Sequence, residues 1–158
     1  IVGRIRKEKG TDRFVDSLTK VLKQRPDFTG VVIGRATPAE QPFLRHLQNS
    51  IREAKLQDRF VFLGEIPRQR LPSVMRALPV VATDTGVFRS IIDENVTGFV
   101  VGLEDNHGLT DAILRITSSV EKLEAMGIAA RSAAVARLSL ENEVAGYDCI
   151  YQKLWHGT

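Results

Sequence analysis

Short apolar runs alternate with stretches of helical periodicity along this chain, and that alternation constrains the fold more than any other feature. Ile1-Val2-Gly3, Gly30-Val31-Val32-Ile33-Gly34, Phe60-Val61-Phe62-Leu63, Val80-Val81-Ala82-Thr83 and Gly98-Phe99-Val100-Val101 read as strands. They are apolar without alternation, as strands buried on both faces are. Between the first two, Thr11 is expected to cap a helix whose apolar face is Phe14, Val15, Leu18, Val21 and Leu22, with Pro26 beyond its end. Thr37-Pro38 opens a second helix, with Leu44, Leu47, Ile51 and Ala54 on one side. A short helix is expected from Leu71 to Ala77, and a brief turn from Gly86 through Ile91. The remainder reads as helical. Leu109, Ala112, Ile113 and Ile116 form one face, and Ser118 with Glu121 forms a capping box. Ser139 caps the last helix, whose inner face is Val144, Tyr147, Tyr151 and Leu154. The fold class is therefore α/β, a Rossmann-like doubly wound parallel sheet.

In such sheets ligands bind beyond the carboxyl ends of the strands. Four of the strands here run out into Gly3-Arg4, Gly34-Arg35, Gly64-Glu65 and Thr83-Asp84-Thr85-Gly86. A glycine in this place lets a ligand approach the backbone. One is an ordinary turn; four on one sheet edge suggest a cleft. Arg4 leaves the first strand and Lys9 precedes the first helix, so both can face a helix N-terminus that already favours anions. Arginine offers a planar fork to phosphate oxygens and lysine a point charge. The plain alternative is two surface cations, and for Arg6 and Lys7 the solvated reading is preferred.

The rest of the sequence excludes much. Net charge is +3, and the densest basic stretch, Arg4 to Lys9, has no aromatic partner, so no nucleic-acid track is expected. There is no G-x-G-x-x-G after the first strand and no G-x-x-x-x-G-K-[ST], which argues against a dinucleotide dehydrogenase or P-loop NTPase. His46, expected on a helix surface, His107, in a loop, and His156, in a frayed tail, have no ligand spacing, so no metal site is expected. Cys149, the one cysteine, can form no internal disulfide and reads as an inert core or boundary thiol. No apolar run is long enough to span a bilayer. Ile1-Val2-Gly3 reads as a strand already under way, with something upstream removed.

Gly3-Arg4-Ile5-Arg6-Lys7-Glu8-Lys9-Gly10 resembles the G-R-x-x-x-x-K-G block of retaining glycosyltransferases of the GT-B fold. Val32-Ile33-Gly34, Arg59 to Gly64, Pro79 to Thr83 and Val96 to Val101 come after it in that family's order, so the resemblance runs from Ile1 to about Leu154. Within it, the first block and Gly34-Arg35-Ala36-Thr37 look most similar to bacterial lipopolysaccharide-core mannosyltransferases. The resemblance implies one nucleotide-sugar-binding domain over residues 1–158, the C-terminal half of a two-domain enzyme whose N-terminal acceptor domain is absent. Arg4 and Lys9 match the cations that hold the donor diphosphate and stabilise the leaving group without a metal or other cofactor. Gly3, Gly34, Arg35, Gly64, Thr83 and Gly86 match the donor-site loops. The implied reaction transfers a hexose, mannose for the most similar members, from a nucleotide diphosphate sugar to a glycan or lipid-linked acceptor. The implied place is the cytoplasm, with the inner membrane face as a peripheral location.

Two departures stand out. The family has a glutamate where this chain has Ser90. It also places a strand, a helix and a glutamate pair between the blocks that here meet at Met75-Arg76-Ala77 and Leu78-Pro79-Val80. A parallel crossover needs about a dozen residues or more, so a segment missing between Ala77 and Leu78 is expected rather than a true deletion, which requires their Cα atoms about 3.8 Å apart. Two other readings stay open: a nucleotide-binding or regulatory module of the same fold without transferase activity, and a sugar-nucleotide epimerase of GT-B architecture, whose catalytic carboxylates are not found.

Overall fold

The computed structural model describes residues 1–70 and 78–156, the last of these and Arg68 by backbone alone. The elements are α1 (Thr11–Gln24), β1 (Gly30–Ile33), α2 (Gln41–Glu53), β2 (Phe60–Gly64), β3 (Val80–Thr83), α3 (Phe88–Ile91), β4 (Gly98–Val101), α4 (Asn106–Ile116), α5 (Val120–Arg137) and α6 (Leu140–His156). The short helix expected at Leu71–Ala77, and with it the junction of Ala77 with Leu78, lies outside the described residues. Two compact units emerge, Ile1–Met75 with Val101–Arg115, and Arg76–Val100 with Ile116–Thr158.

In the first unit β1 pairs parallel with β2. On its other side the chain start adds a parallel bridge, Val2 to Ile33, extended by hydrogen bonds from Ile33 N to Ile1 O and from Gly3 N to Ile33 O. The expected first strand is thus present as a single bridge in a short ladder. The apolar stripe of α1 does what its spacing predicts. Val15, Leu18, Val21 and Leu22 are buried with Val32, Leu47, Ile51, Leu56, Phe60 and Ile5 in one core. Burying each such side chain contributes about 1.5–3 kcal/mol. The segment Val101–Arg115 joins this unit, since Ser17 Oγ donates to Asn106 O and Arg13 pairs with Glu104 at 3.2 Å. Arg59 closes the opposite edge, donating to the carbonyls of Phe28 and Arg25.

The α/β class with parallel strands is as expected, yet the described strands form two short ladders, β1 with β2 and β3 with β4. β2 also alternates, with Val61 and Leu63 exposed, so one of its faces lacks cover among the described residues.

In the second unit β3 and β4 meet closely. Val80 N donates to Thr97 O, and a Cβ on Gly98 would lie 1.9 Å from Val80 O, so only glycine fits there. Asp93 N donates to the Thr97 hydroxyl while Arg137 grips the Asp93 carboxylate. That guanidinium holds the Asp93 carboxyl below its usual range.

Several local expectations shift. Gly10, at φ +65°, is the N-cap of α1, and Thr11 is its first residue, buried and donating its hydroxyl to Arg6 O. The capping serine of α5 is Ser119, which accepts from Lys122 N, because the helix starts one residue later than Ser118 requires. Ser139 caps α6 as expected, accepting from Asn142 N. The apolar face of α6 is not an inner face. Val144, Tyr147, Tyr151 and Leu154 are 57–76% exposed, so they lack cover among the described residues. Cys149, on the same helix, is exposed rather than a core or boundary thiol. His46 is on the surface of α2 as expected, while His107 belongs to the first turn of α4 and not to a loop.

Candidate donor site

Three strand ends converge at one edge of the first unit because parallel pairing puts their carboxyl ends side by side. Gly3 N donates to Ile33 O at 2.9 Å, Gly34 N donates to Gly64 O at 2.7 Å, and Ile5 N donates to Arg35 O at 3.1 Å. Gly3, Gly34 and Gly64 are therefore neighbours, as the sequence predicts. Gly34 holds the group together. Its φ is +142°, and a Cβ there would sit 1.8 Å from the carbonyl oxygen of Gly3. No other residue lets these two backbones approach so closely.

Arg4 leaves this edge directly. It is exposed and makes no ion pair within 4 Å among the described residues, so its fork is available to a ligand. Lys9 ends a turn of 3-10 helix, Lys7–Lys9, joined to α1 through Gly10. Lys9 N donates to Arg6 O, which ties that turn back to the Arg4–Arg6 segment. Arg35 pairs with Glu65 at 3.4 Å, linking the loops after β1 and β2 across the edge. Both side chains are exposed, so this pair contributes at most about 1 kcal/mol.

Arg6 and the loop after β1 hold features that the sequence alone does not reveal. Arg6 is half-buried and, among the described residues, its Nε has no hydrogen-bond partner and its nearest carboxylate is Glu8 at 4.0 Å. It is not the fully solvated charge expected. In the loop, Thr37 donates both its N–H and its hydroxyl to Glu40 Oε2, each at 2.8 Å. Those two bonds hold the Glu40 carboxyl below its usual range, and the charges of Arg4 and Arg6 add to the effect. A local signal for the loop is present in the sequence, since Thr37-Pro38-Ala39-Glu40 has the spacing of a capping box.

Thr83 and Gly86 belong to the second unit. Thr85 N donates to Thr83 O in the turn after β3, and Gly86 has φ +57°. Asp84 pairs with Arg89 at 2.7 Å. Ser90 donates its hydroxyl to Val87 O at 2.7 Å, so the group standing where the resemblance expects a glutamate is committed to its own turn. Among the described residues no group of three or more His, Cys, Asp or Glu side chains lies close enough to hold a metal ion. Concave surface on the second unit runs along the helices, one groove being lined by Tyr151, Gln152, Leu154 and Trp155. The four residues that line that groove include no cation to hold an anionic ligand.

Parallel strands ending in glycines, with cations leaving the edge, define a Rossmann-like half of the GT-B architecture. The solved C-terminal domain of a group 1 glycosyl transferase family protein (LpcC) from Francisella tularensis has this fold, with a TM-score of 0.80 and 25% identity over 87% of this chain and 84% of that one. Anabaena Alr3699/HepE, solved in complex with UDP, shares it at a TM-score of 0.80 and 20% identity, over 95% of this chain and 47% of that one. Residues 1–78 match the family described as "Glycosyl transferases group 1". A curated relative, the lipopolysaccharide core biosynthesis mannosyltransferase LpsB of Rhizobium meliloti, is 29% identical over 96% of this chain and 50% of its own length. The chain thus spans about half the length of that relative. No helix among the described residues is long and apolar enough to cross a membrane.

Proposed function

We propose that this chain is the donor-binding half of a retaining glycosyltransferase. It binds a nucleotide diphosphate sugar and transfers a hexose, mannose in this reading, to a glycan or lipid-linked acceptor without a metal. The observation that carries it is the edge formed by Gly3, Gly34 and Gly64, with Arg4 leaving its first strand end. Arg4 and Lys9 neutralise the departing nucleoside diphosphate, whose charge is greatest in the transition state. Gly64, with nothing within 4 Å of where a Cβ would lie, leaves backbone open beside the nucleoside, and Gly34 and Arg35 stand at the same edge.

A second half supplies the acceptor. The twofold greater length of the relative supports this, as does the exposed stripe of Val144, Tyr147, Tyr151 and Leu154 on α6, a heptad-like seam without cover among the described residues. We also place a further segment between Ala77 and Leu78. The alignment with LpsB is 176 residues long, more than the 158 residues of this whole chain.

The test is to express residues 1–158 alone and with the upstream half of the parent polypeptide. The isolated chain is expected to bind nucleoside diphosphate and to transfer no sugar; the recombined halves are expected to do both. Transfer by the isolated chain with any nucleotide sugar contradicts the two-half account. A second reading, a nucleotide-binding module without transferase activity, is favoured by the engaged hydroxyl of Ser90. Recombined halves that bind nucleotide and never transfer would establish it.

A further inference from the structure

The loop that leaves β1 brings a negative charge to a cationic edge. Glu40 is fixed there by the two bonds from Thr37, and the loop is fixed in turn by Gln41 Nε2 donating to Ala36 O. Ile5 N, bonded to Arg35 O, draws the Arg4–Arg6 segment alongside. The carboxylate makes no ion pair within 4 Å of either arginine among the described residues, and Arg6 Nε is left without a hydrogen-bond partner. A charge so placed leaves the exposed Arg4 without an ion pair among the described residues but opposes any anion that comes to it.

We propose that Glu40 is a positioning residue of the donor site, a resident counter-charge that sets how firmly the edge holds a diphosphate. The inference rests on the donor-site reading above. The two ligands of such a site differ in charge. In the sugar ester both phosphates carry one negative charge each, whereas in the free nucleoside diphosphate the terminal phosphate carries nearly two at neutral pH, its second ionisation falling near pH 6. A fixed carboxylate repels the product more than the donor, and so favours exchange of spent nucleotide for fresh.

The experiment uses the full polypeptide containing this chain, titrated with UDP, GDP and ADP, with inorganic pyrophosphate as a base-free probe, and with the glucose and mannose esters of the nucleotide that binds. Glu40→Gln keeps an oxygen for Thr37 and removes the charge. It is expected to tighten the nucleoside diphosphate and pyrophosphate about three- to tenfold at low salt, to tighten the sugar esters less, and to lose its advantage as ionic strength rises. Glu40→Ala, which also loses the Thr37 bonds, separates charge from loop support. Equal weakening by Glu40→Ala and Glu40→Gln makes the residue a structural cap and overturns the proposal. So does an unchanged ratio of product to donor affinity in Glu40→Gln. Failure of the unsubstituted protein to bind any diphosphate removes the donor-site reading itself, and this inference with it.

Discussion

A Gly34→Val variant will lose about 3 kcal/mol or more of stability, combining backbone strain at positive φ with an overlap that cannot relax. The Cβ would lie 1.8 Å from Gly3 O and 2.7 Å from the Gly3 carbonyl carbon, and these are backbone atoms. Separating them breaks the bonds from Gly3 N to Ile33 O and from Gly34 N to Gly64 O, which assemble the edge. For a chain of this size the melting temperature should fall by about 10 °C. Gly64→Ala provides the contrast. It has φ +66° but nothing within 4 Å of the added methyl, so only the dihedral cost of about 1–2 kcal/mol applies. Thermal melts of the two variants check the ranking. Equal losses would mean that close approach at Gly34 is not what shapes the edge.

Removing Arg4 should leave stability alone and damage function. The side chain is exposed and has no ion pair within 4 Å among the described residues, so Arg4→Ala strands no buried partner. The melting temperature is expected to hold, within about 0.5 kcal/mol of stability. Nucleoside diphosphate binding should weaken by about 1.5–3 kcal/mol, the scale of a charged hydrogen bond. Transfer by the complete enzyme should fall further, by about 100- to 1000-fold, because the leaving group gains charge as the glycosidic bond breaks. Arg4→Lys, which keeps charge without the planar fork, should fall between. Lys9→Ala should resemble Arg4→Ala, and the double variant should lose less than the sum if both grip one diphosphate. Calorimetric titration with initial-rate measurements decides this. An unchanged Kd for Arg4→Ala removes the residue from the site.

The strands were legible in the sequence because each is short, apolar and closed by a turn residue, and α1 and α2 because their apolar positions recur at helical spacing. The glycine edge was legible for the same reason: strand ends of a parallel sheet share an edge whatever fills the loops. What escaped depends on contacts between segments. Thr11 looks like a cap, yet Gly10 takes the left-handed conformation first and leaves Thr11 inside the helix. Periodicity marks Val144, Tyr147, Tyr151 and Leu154 as one face, but cannot say whether anything covers it, and here they stay exposed. Arg6 reads as one more surface cation until its Nε is seen to be buried. Glu40 was hidden differently. Its local bond to Thr37 is set by spacing, while the Arg4–Arg6 segment is brought to its loop by the bond from Ile5 N to Arg35 O.

The central claim is that a diphosphate binds at the edge made by Gly3, Arg4, Gly34 and Gly64. Amide hydrogen exchange on this chain, with and without a saturating concentration of the tightest-binding nucleoside diphosphate, tests it most directly. Slowed exchange concentrated in residues 3–10 and 34–40 is the predicted result, because those amides and the cations beside them would close on the phosphates. Protection confined to α5 and α6, with the glycine edge exchanging as fast as in the free chain, would contradict it.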